Sequence, residues 1–187
     1  MGTSHNLGQN FSIPFGIKYV GKDEKEHYAW QTSWGVSWRT IGAVIMMHGD
    51  DKGLIVPPRI APIQVVAIPI YYTEDERRLV YKEIQEVSHS LRRGGFNVRV
   101  DDREQYTPGW KFNEWEMKGV PLRIEIGPKD IEKKEVTLVR RDTFDRATIP
   151  KERLIDEVGR ILGEIQRDLF ERAKGFLKAR TKTTTTY

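Results

Sequence analysis

Arg39 is the residue whose type and position most clearly indicate chemistry. It follows Trp30 to Trp38, an aromatic and polar run that suits a strand, and it precedes Thr40 to Met47, whose residues suit a helix. An arginine at such a junction can bind a nucleotide triphosphate through two parallel hydrogen bonds, because its guanidinium is planar and permanently charged. An isolated arginine is usually a surface residue, so Arg39 needs support from its surroundings.

Metal chemistry has little support in the sequence. There is no cysteine, which excludes disulfides and thiolate zinc sites. No two histidines stand at the spacing of metal ligands, the four being His5, His27, His48 and His89. The sequence therefore predicts no structural metal site.

Composition and charge indicate a soluble protein with a basic bias. The 187 residues suit one or two domains, and 38% of them are hydrophobic and 31% charged, which is enough for a core and a charged surface. No apolar run approaches the about 20 residues of a membrane-spanning helix, so we expect no membrane contact and a cytoplasmic location. A net charge of +4 favours a polyanionic partner, although many proteins of this charge bind none.

Proline residues mark the expected domain boundary. Apolar clusters in the first third are broken by glycine and proline, and Pro57, Pro58 and Pro62 then form a stiff link. We predict one domain at residues 1–62, a second at 63–178 and a disordered tail at 179–187.

The second domain has regular periodicity. Val65 to Ile70 is an apolar run typical of a strand buried on both faces, and Thr73 with Glu76 forms a capping-box pattern at the start of a helix. Further strands are predicted at 97–100, 122–126 and 135–141, further helices at 107–118 and 151–178, and a solvated loop at 129–135. This alternation predicts an α/β fold with a mixed, largely parallel sheet and flanking helices.

One predicted helix has an aromatic side formed by Trp110, Phe112 and Trp115. Exposed rings can stack on unpaired bases. Rings on a short helix more often pack in a core or against another domain. Core packing is therefore the favoured interpretation, and stacking is the alternative.

Two N-terminal segments resemble one enzyme family. TSHNLGQNF (residues 3–11) and QTSWGVSWRTIGAVIMMHGDDKGLIVPP (residues 31–58) are similar to the proline pocket and third motif of class II aminoacyl-tRNA synthetases, specifically the prolyl enzymes of the archaeal and eukaryotic type. The resemblance implies that Arg39 is the catalytic motif 3 arginine that engages ATP. Trp38 departs from the family, which commonly has a small polar residue there.

The same resemblance implies further binding residues. Together with Arg39, it assigns ATP binding to Gln31, Ser33 and Ser37, and proline binding to Thr3 and His5. Adenylate formation depends on several motifs acting together, and only the third lies in this sequence.

A third segment resembles the class IIa anticodon-binding domain. It is DDREQYTPGWKFNEWEMKGVPLRIEIGPKD, residues 101–130. By position in it, the resemblance implies Glu104 and Lys118 as base readers in tRNA binding, with Lys111 and Arg123 as weaker supports. A carboxylate can accept from the N1 and N2 donors of guanine and an ammonium can donate to O6 and N7, which suits the guanines of a proline anticodon.

The resemblance implies a C-terminal piece of a proline–tRNA ligase. The parent enzyme would be a homodimer that uses ATP and magnesium to form prolyl-adenylate and then charges tRNA(Pro). We expect this chain mainly to bind the anticodon, to be inactive alone, to retain no cofactor, and to need the missing N-terminal catalytic part for aminoacylation.

Two other functions are left open by the sequence. The first is a non-catalytic RNA-binding or interaction module that uses the anticodon-binding fold. The second, less favoured, is a free-standing ATP-dependent ligase. Selective binding of proline tRNA would distinguish the fragment from the first alternative.

Overall fold

The computed structural model describes residues 2–184, and internal contacts divide the chain into two units between Val44 and Ile45. The contacts thus group residues 45–62 with the second unit, and the predicted domain boundary at residue 62 stays a prediction. The predicted disordered tail, 179–187, lies partly outside the described residues.

The first unit consists of short strands and the start of a helix. Strands β1 (Gly2–Gly8) and β4 (Gln31–Val36) form one antiparallel pair, and β2 (Lys18–Val20) and β3 (Glu26–Tyr28) form another. Helix α1 (Arg39–His48) begins three residues after β4 ends. Ser12 is the only buried residue of residues 2–44, so this unit has no apolar core of its own.

A five-stranded sheet organises the second unit. Its strands are β5 (Val65–Pro69), β6 (Val98–Val100), β7 (Leu122–Ile126), β8 (Glu135–Arg140) and β9 (Arg146–Pro150), in the spatial order β6-β5-β7-β8-β9. β5 is parallel to β6 and β7, whereas β8 is antiparallel to β7 and β9. The predicted α/β class with a mixed sheet and flanking helices is confirmed, with two of the four strand pairs parallel.

Helices cover both faces of this sheet. They are α2 (Glu74–Arg93), α3 (Pro108–Met117), α4 (Pro128–Lys133) and α5 (Leu154–Arg180), the last preceded by a 3₁₀ turn, Lys151–Arg153. The predicted capping box opens α2, since the Glu76 amide donates to Thr73 Oγ1 and the Thr73 amide to Glu76 Oε2, both at 3.2 Å. This pairing satisfies amides that a helix N-terminus otherwise leaves free.

The apolar core is divided by the sheet. On one side, Val65 and Leu122 pack with the inner residues of α2 and α5, such as Ile84 and Ile165. On the other side, Val66 and Ile68 pack with Trp115 of α3 and with Val120. Strands with both faces buried explain why β5 reads as a continuous apolar run.

Residues after α1 are tied to the end of α3. The amide of Leu54 donates to the Met117 carbonyl at 3.0 Å, and the amide of Val56 donates to the Gly119 carbonyl at 3.1 Å. Gly119 has φ +73, and a Cβ there would lie 2.6 Å from the Cβ of Leu54. The two segments therefore approach closely because position 119 is glycine.

A buried arginine holds the turn that precedes these bonds. Arg141 donates to both carboxylate oxygens of Asp50, at 2.8 and 2.6 Å, and to the Glu116 carbonyl at 2.7 Å. The hydrogen bond from Arg141 lowers the pKa of Asp50 to about 2. The turn is thus fixed by a two-pronged ion pair.

Two elements differ from the sequence prediction. Residues 129–135, predicted as a solvated loop, largely lie in the short helix α4, which Pro128 starts and Lys134 ends with φ 55. β9 was not predicted, because only Ile149 of its five residues is buried and no alternating pattern marks it.

Candidate functional site

Asp101 is the centre of the polar structure around α3. It directly follows β6, is 2% exposed, and accepts hydrogen bonds from Arg103 Nε at 2.9 Å and Trp115 Nε1 at 2.7 Å. Burial alone would raise the pKa of Asp101, but the hydrogen bonds from Arg103 and Trp115 outweigh it and lower the pKa to about 2. Asp101 is therefore ionised and fixes the loop that leads into α3.

Glu114 joins two cations at the surface of α3. It accepts from the guanidinium of Arg103 and, at 2.6 Å, from the ammonium of Lys118. These hydrogen bonds, first that of Arg103 and then that of Lys118, lower the pKa of Glu114. The Lys118 side chain is 48% exposed, and its ammonium lies 4.7 Å from the centroid of the Trp115 ring. Lys118 is thus both held in place and open to a ligand.

Lys111 and Arg123 are buried and donate hydrogen bonds to acceptors within the protein. Lys111 is 3% exposed, its ammonium donates to the Asp101 carbonyl at 3.2 Å, and burial lowers its pKa. Arg123 donates to Glu116 at 2.6 Å and to Glu125 at 3.0 Å. Their predicted support of tRNA binding stays a prediction, and their burial leaves little of either side chain for direct contact with RNA.

Glu104 is paired with a residue of α2. It accepts a hydrogen bond from Arg77 of α2, which also donates to Glu74 at 2.9 Å. The Glu104 side chain is 57% exposed. Nearby, the hydroxyl of Tyr81 donates to the Asp102 carbonyl at 2.8 Å. The structure thus links Lys118 and Lys111 through Asp101, Arg103 and Glu114, whereas Glu104 is oriented from α2.

The predicted proline-binding residues lie on the β1–β4 pair. His5 is directly opposite Ser33, and Thr3 is opposite Gly35. Directly opposed residues project to the same face of an antiparallel pair, so Thr3, His5 and Ser33 share a face. All three are exposed.

The remaining predicted ATP-binding residues flank the start of α1. The Arg39 amide donates to Ser37 Oγ at 3.2 Å, and the Arg39 side chain is exposed and forms no ion pair with any described residue. Gln31 Oε1 is buried and has no hydrogen-bond partner within residues 2–184. A free guanidinium and a free acceptor are compatible with a nucleotide phosphate and an adenine amino group.

A metal ion finds no ready set of ligands in the described chain. Among residues 2–184, no group of three or more histidine, aspartate or glutamate side chains is arranged to hold one. Magnesium is usually bound through one or two carboxylates together with substrate phosphates. The residues present therefore do not by themselves form a magnesium site.

Asp101 and Arg103 were missed as site residues in the sequence. They fall in a charged run, and such runs are usually solvated. The signal that could have found Asp101 is its position directly after a short apolar strand, where the carboxyl ends of parallel strands form binding edges.

Comparison with known families identifies the second unit. Residues 64–161, about half of the chain, match the family described as Anticodon binding domain. The chain belongs to the anticodon binding domain family. This domain contains the sheet, the loop at Asp101 and the whole of α3.

Similarity to individual proteins extends beyond the anticodon binding domain. The chain is 50% identical over 182 residues to a Proline--tRNA ligase of Natranaerobius thermophilus, covering 97% of this chain and 37% of the relative. It is 51% identical to that of Chloroflexus aggregans, covering 100% and 39%, and 48% identical to that of Cenarchaeum symbiosum, covering 93% and 37%.

These identities confirm the resemblance to prolyl-tRNA synthetases, while the archaeal and eukaryotic type stays a prediction. The chain spans less than two fifths of the length of these curated relatives. No helix within residues 2–184 is long and apolar enough to cross a membrane.

Proposed function

We propose that this chain binds the anticodon of proline tRNA as part of a proline–tRNA ligase. The observation that carries the proposal is the identity of about half of all residues to proteins named Proline--tRNA ligase, along nearly the whole chain and through the anticodon binding domain. The proposed location is the cytoplasm.

Lys118 and Glu104 are the proposed base-reading residues. Unpaired bases are read at their exposed edges, where an ammonium can donate to guanine O6 and N7 and a carboxylate can accept from N1 and N2. Both side chains are exposed, and each is oriented by an ion pair, Lys118 by Glu114 and Glu104 by Arg77. Orientation before binding reduces the entropy lost when RNA binds.

The test is binding of the chain to three RNAs at two salt concentrations. Proline tRNA, a non-cognate tRNA, and proline tRNA with its anticodon guanines replaced are compared by filter binding. Selective loss on replacing the guanines supports the proposal. Equal and steeply salt-dependent binding of all three would contradict it, because phosphate contacts alone carry no sequence information. That result would favour the non-catalytic RNA-binding alternative.

Lys118→Ala sharpens this test. We expect it to weaken binding of proline tRNA by about tenfold, the effect of losing one specific base contact, while non-cognate binding changes little. Lys178→Ala, at an exposed lysine near the end of α5, is the matched control. Equal losses from both substitutions on every RNA would contradict base reading by Lys118.

The first unit is proposed to contribute to adenylate formation. In this role Arg39 contacts phosphate oxygens of ATP, Gln31, Ser33 and Ser37 contact the nucleotide, and Thr3 and His5 contact proline. The proposed enzyme is a homodimer that uses magnesium, and this chain acts together with the N-terminal catalytic part. The guanidinium of Arg39, which is exposed and forms no ion pair within residues 2–184, supports the assignment.

Arg39→Ala tests this part of the proposal. The N-terminal part is supplied as a separate chain, and proline-dependent exchange of pyrophosphate into ATP is measured. We expect a loss of about 100-fold or more, because a positioned charge on the reacting phosphates is removed, with tRNA affinity unchanged. An active variant would contradict the role of Arg39.

A further inference from the structure

Tyr106 and Trp110 form a stacked aromatic pair at the start of α3. Their ring centroids are 3.8 Å apart and the rings are within 9° of parallel. Thr107 caps the helix, with its Oγ1 accepting from the Trp110 amide, and Pro108 is the first helical residue. The local sequence therefore fixes the backbone at Trp110.

Core packing does not account for Trp110. Phe112 and Trp115 pack in the cluster beneath α3, but Trp110 belongs to neither hydrophobic cluster and remains 43% exposed. Because Tyr106 covers one face of the indole, much of this exposure falls on the rest of the ring. Phe112 and Trp115 therefore pack in the core, whereas Trp110 remains available at the surface.

Arg103 stands beside the stack rather than on top of it. Its guanidinium carbon is 5.0 Å from the Tyr106 centroid and 5.3 Å from the Trp110 centroid. Nearly equal distances to two rings 3.8 Å apart are possible only at their edges. Asp101 and Glu114 hold Arg103 there, and Glu114 also holds Lys118. The outer face of Trp110 is left for another planar group, on the same surface as a proposed base reader.

We propose that Trp110 stacks on one unpaired base of the bound RNA, adding a third ring to the Tyr106–Trp110 pair. This inference rests on the proposed tRNA-binding function. Exposed aromatic side chains can stack on bases of any sequence, because every base has a π face. The site contributes affinity and positions the strand for Lys118, and it does not select a base.

The experiment measures binding of the full chain to a fluorescently labelled anticodon stem-loop of proline tRNA. Further stem-loops each have one loop nucleotide replaced by an abasic one. We compare wild type, Trp110→Ala and Trp110→Phe, with Phe170→Ala as a control at an exposed aromatic of α5. Thermal unfolding of each variant establishes that it is folded.

Trp110→Ala should weaken binding of the intact loop by about tenfold, within the range of about 5- to 150-fold expected for loss of one stacked base. Trp110→Phe should restore most of the affinity, and Phe170→Ala should change nothing. One abasic loop should bind wild type and Trp110→Ala equally, since the stacking partner is gone.

Two results would contradict stacking of Trp110 on a base. The first is that Trp110→Ala binds the intact loop as tightly as wild type does. The second is that Trp110→Ala weakens binding of every abasic loop by the same factor, because such a loss would show an indirect effect of the substitution. Failure of the proposed function is separate, as wild type would then bind loops with and without the anticodon guanines equally. If wild type bound none of the loops, both the stacking role of Trp110 and the proposed function would be contradicted.

Discussion

The two units of this chain differ in how far their apolar side chains are buried. In the second unit, apolar residues of four strands and three helices are buried on both sides of the sheet. In residues 2–44, only Ser12 is buried, while Trp30, Trp34 and Trp38 are each more than 70% exposed. Two-stranded sheets are too small to bury a core.

The difference bears on which proposed activities this chain can show. Large exposed apolar surfaces commonly mark places where another polypeptide or ligand packs. The second unit has a buried core of its own, so anticodon binding can be tested on this chain as it is. The adenylate chemistry proposed for the first unit is to be tested with the N-terminal catalytic part supplied as a separate chain.

The largest expected contrast is between Leu122→Ala and Trp34→Ala. Leu122 is fully buried in β7, and its truncation should lower the free energy of unfolding by about 3 kcal/mol through lost burial and a cavity. Trp34 is 80% exposed, so its truncation should change the value by less than about 0.5 kcal/mol. Urea unfolding followed by circular dichroism checks both, and similar losses would mean that the first unit has a core in solution.

A second contrast concerns pH. The folded pKa of Asp101, about 2, lies below its unfolded value. Its stabilisation is therefore present above about pH 4 and is lost as the pH falls towards 2. Asp101→Asn should cost about 2 kcal/mol at pH 7, and the difference from wild type should shrink over this window. Urea unfolding at several pH values measures it.

The matched control for this change is Asp102→Asn, at the exposed neighbouring position. Its carboxylate makes no hydrogen bond to a described residue, so its removal should leave stability at pH 7 nearly unchanged. A pH-independent loss in Asp101→Asn would show that the amide disrupts packing and that ionisation is not the cause.

A smaller effect is expected at the turn after α1. Asp50→Asn leaves the buried Arg141 guanidinium without its charged partner, and the cost should be about 1.5 kcal/mol because Asp50 itself is partly exposed to solvent. Asp51→Asn, at an adjacent exposed residue, should have no effect. Denaturant midpoints of the two variants measure this. Equal losses of stability in Asp50→Asn and Asp51→Asn would show that Arg141 does not anchor the turn.

The smallest contrast compares two helix starts. Thr73→Ala removes half of the capping box of α2 and should cost about 1 kcal/mol of unfolding free energy. Ser37→Ala, which removes the hydroxyl that accepts from the Arg39 amide, should leave the unfolding of the second unit unchanged. Calorimetry of both variants checks this, and an equal shift for both would show that the units unfold together.

Elements with strong local signals could be predicted from the sequence. β5 was marked by its apolar run and α2 by Thr73 and Glu76. α4 and β9 could not be predicted in the same way. The first is a short charged helix, and the second is an edge strand paired through its backbone with little burial of side chains.

The sequence predicts tRNA-binding residues in the segment around α3, and that location stays a prediction. The pairing within the segment could not be predicted, because nothing in the sequence distinguishes the buried Lys111 from the exposed Lys118. That distinction arises from Asp101, whose carbonyl accepts from Lys111 after the chain has folded. Long-range pairing of this kind depends on tertiary structure, which local patterns do not encode.

The two backbone bonds between residues 54–56 and the end of α3 give the molecule a built-in reporter. The amide protons of Leu54 and Val56 lie outside the regular sheet, yet the Met117 and Gly119 carbonyls shield them from exchange with solvent. They exchange only when this contact opens. In deuterium oxide, their exchange rates would therefore report how often the backbone contacts on either side of Lys118 open in the absence of RNA.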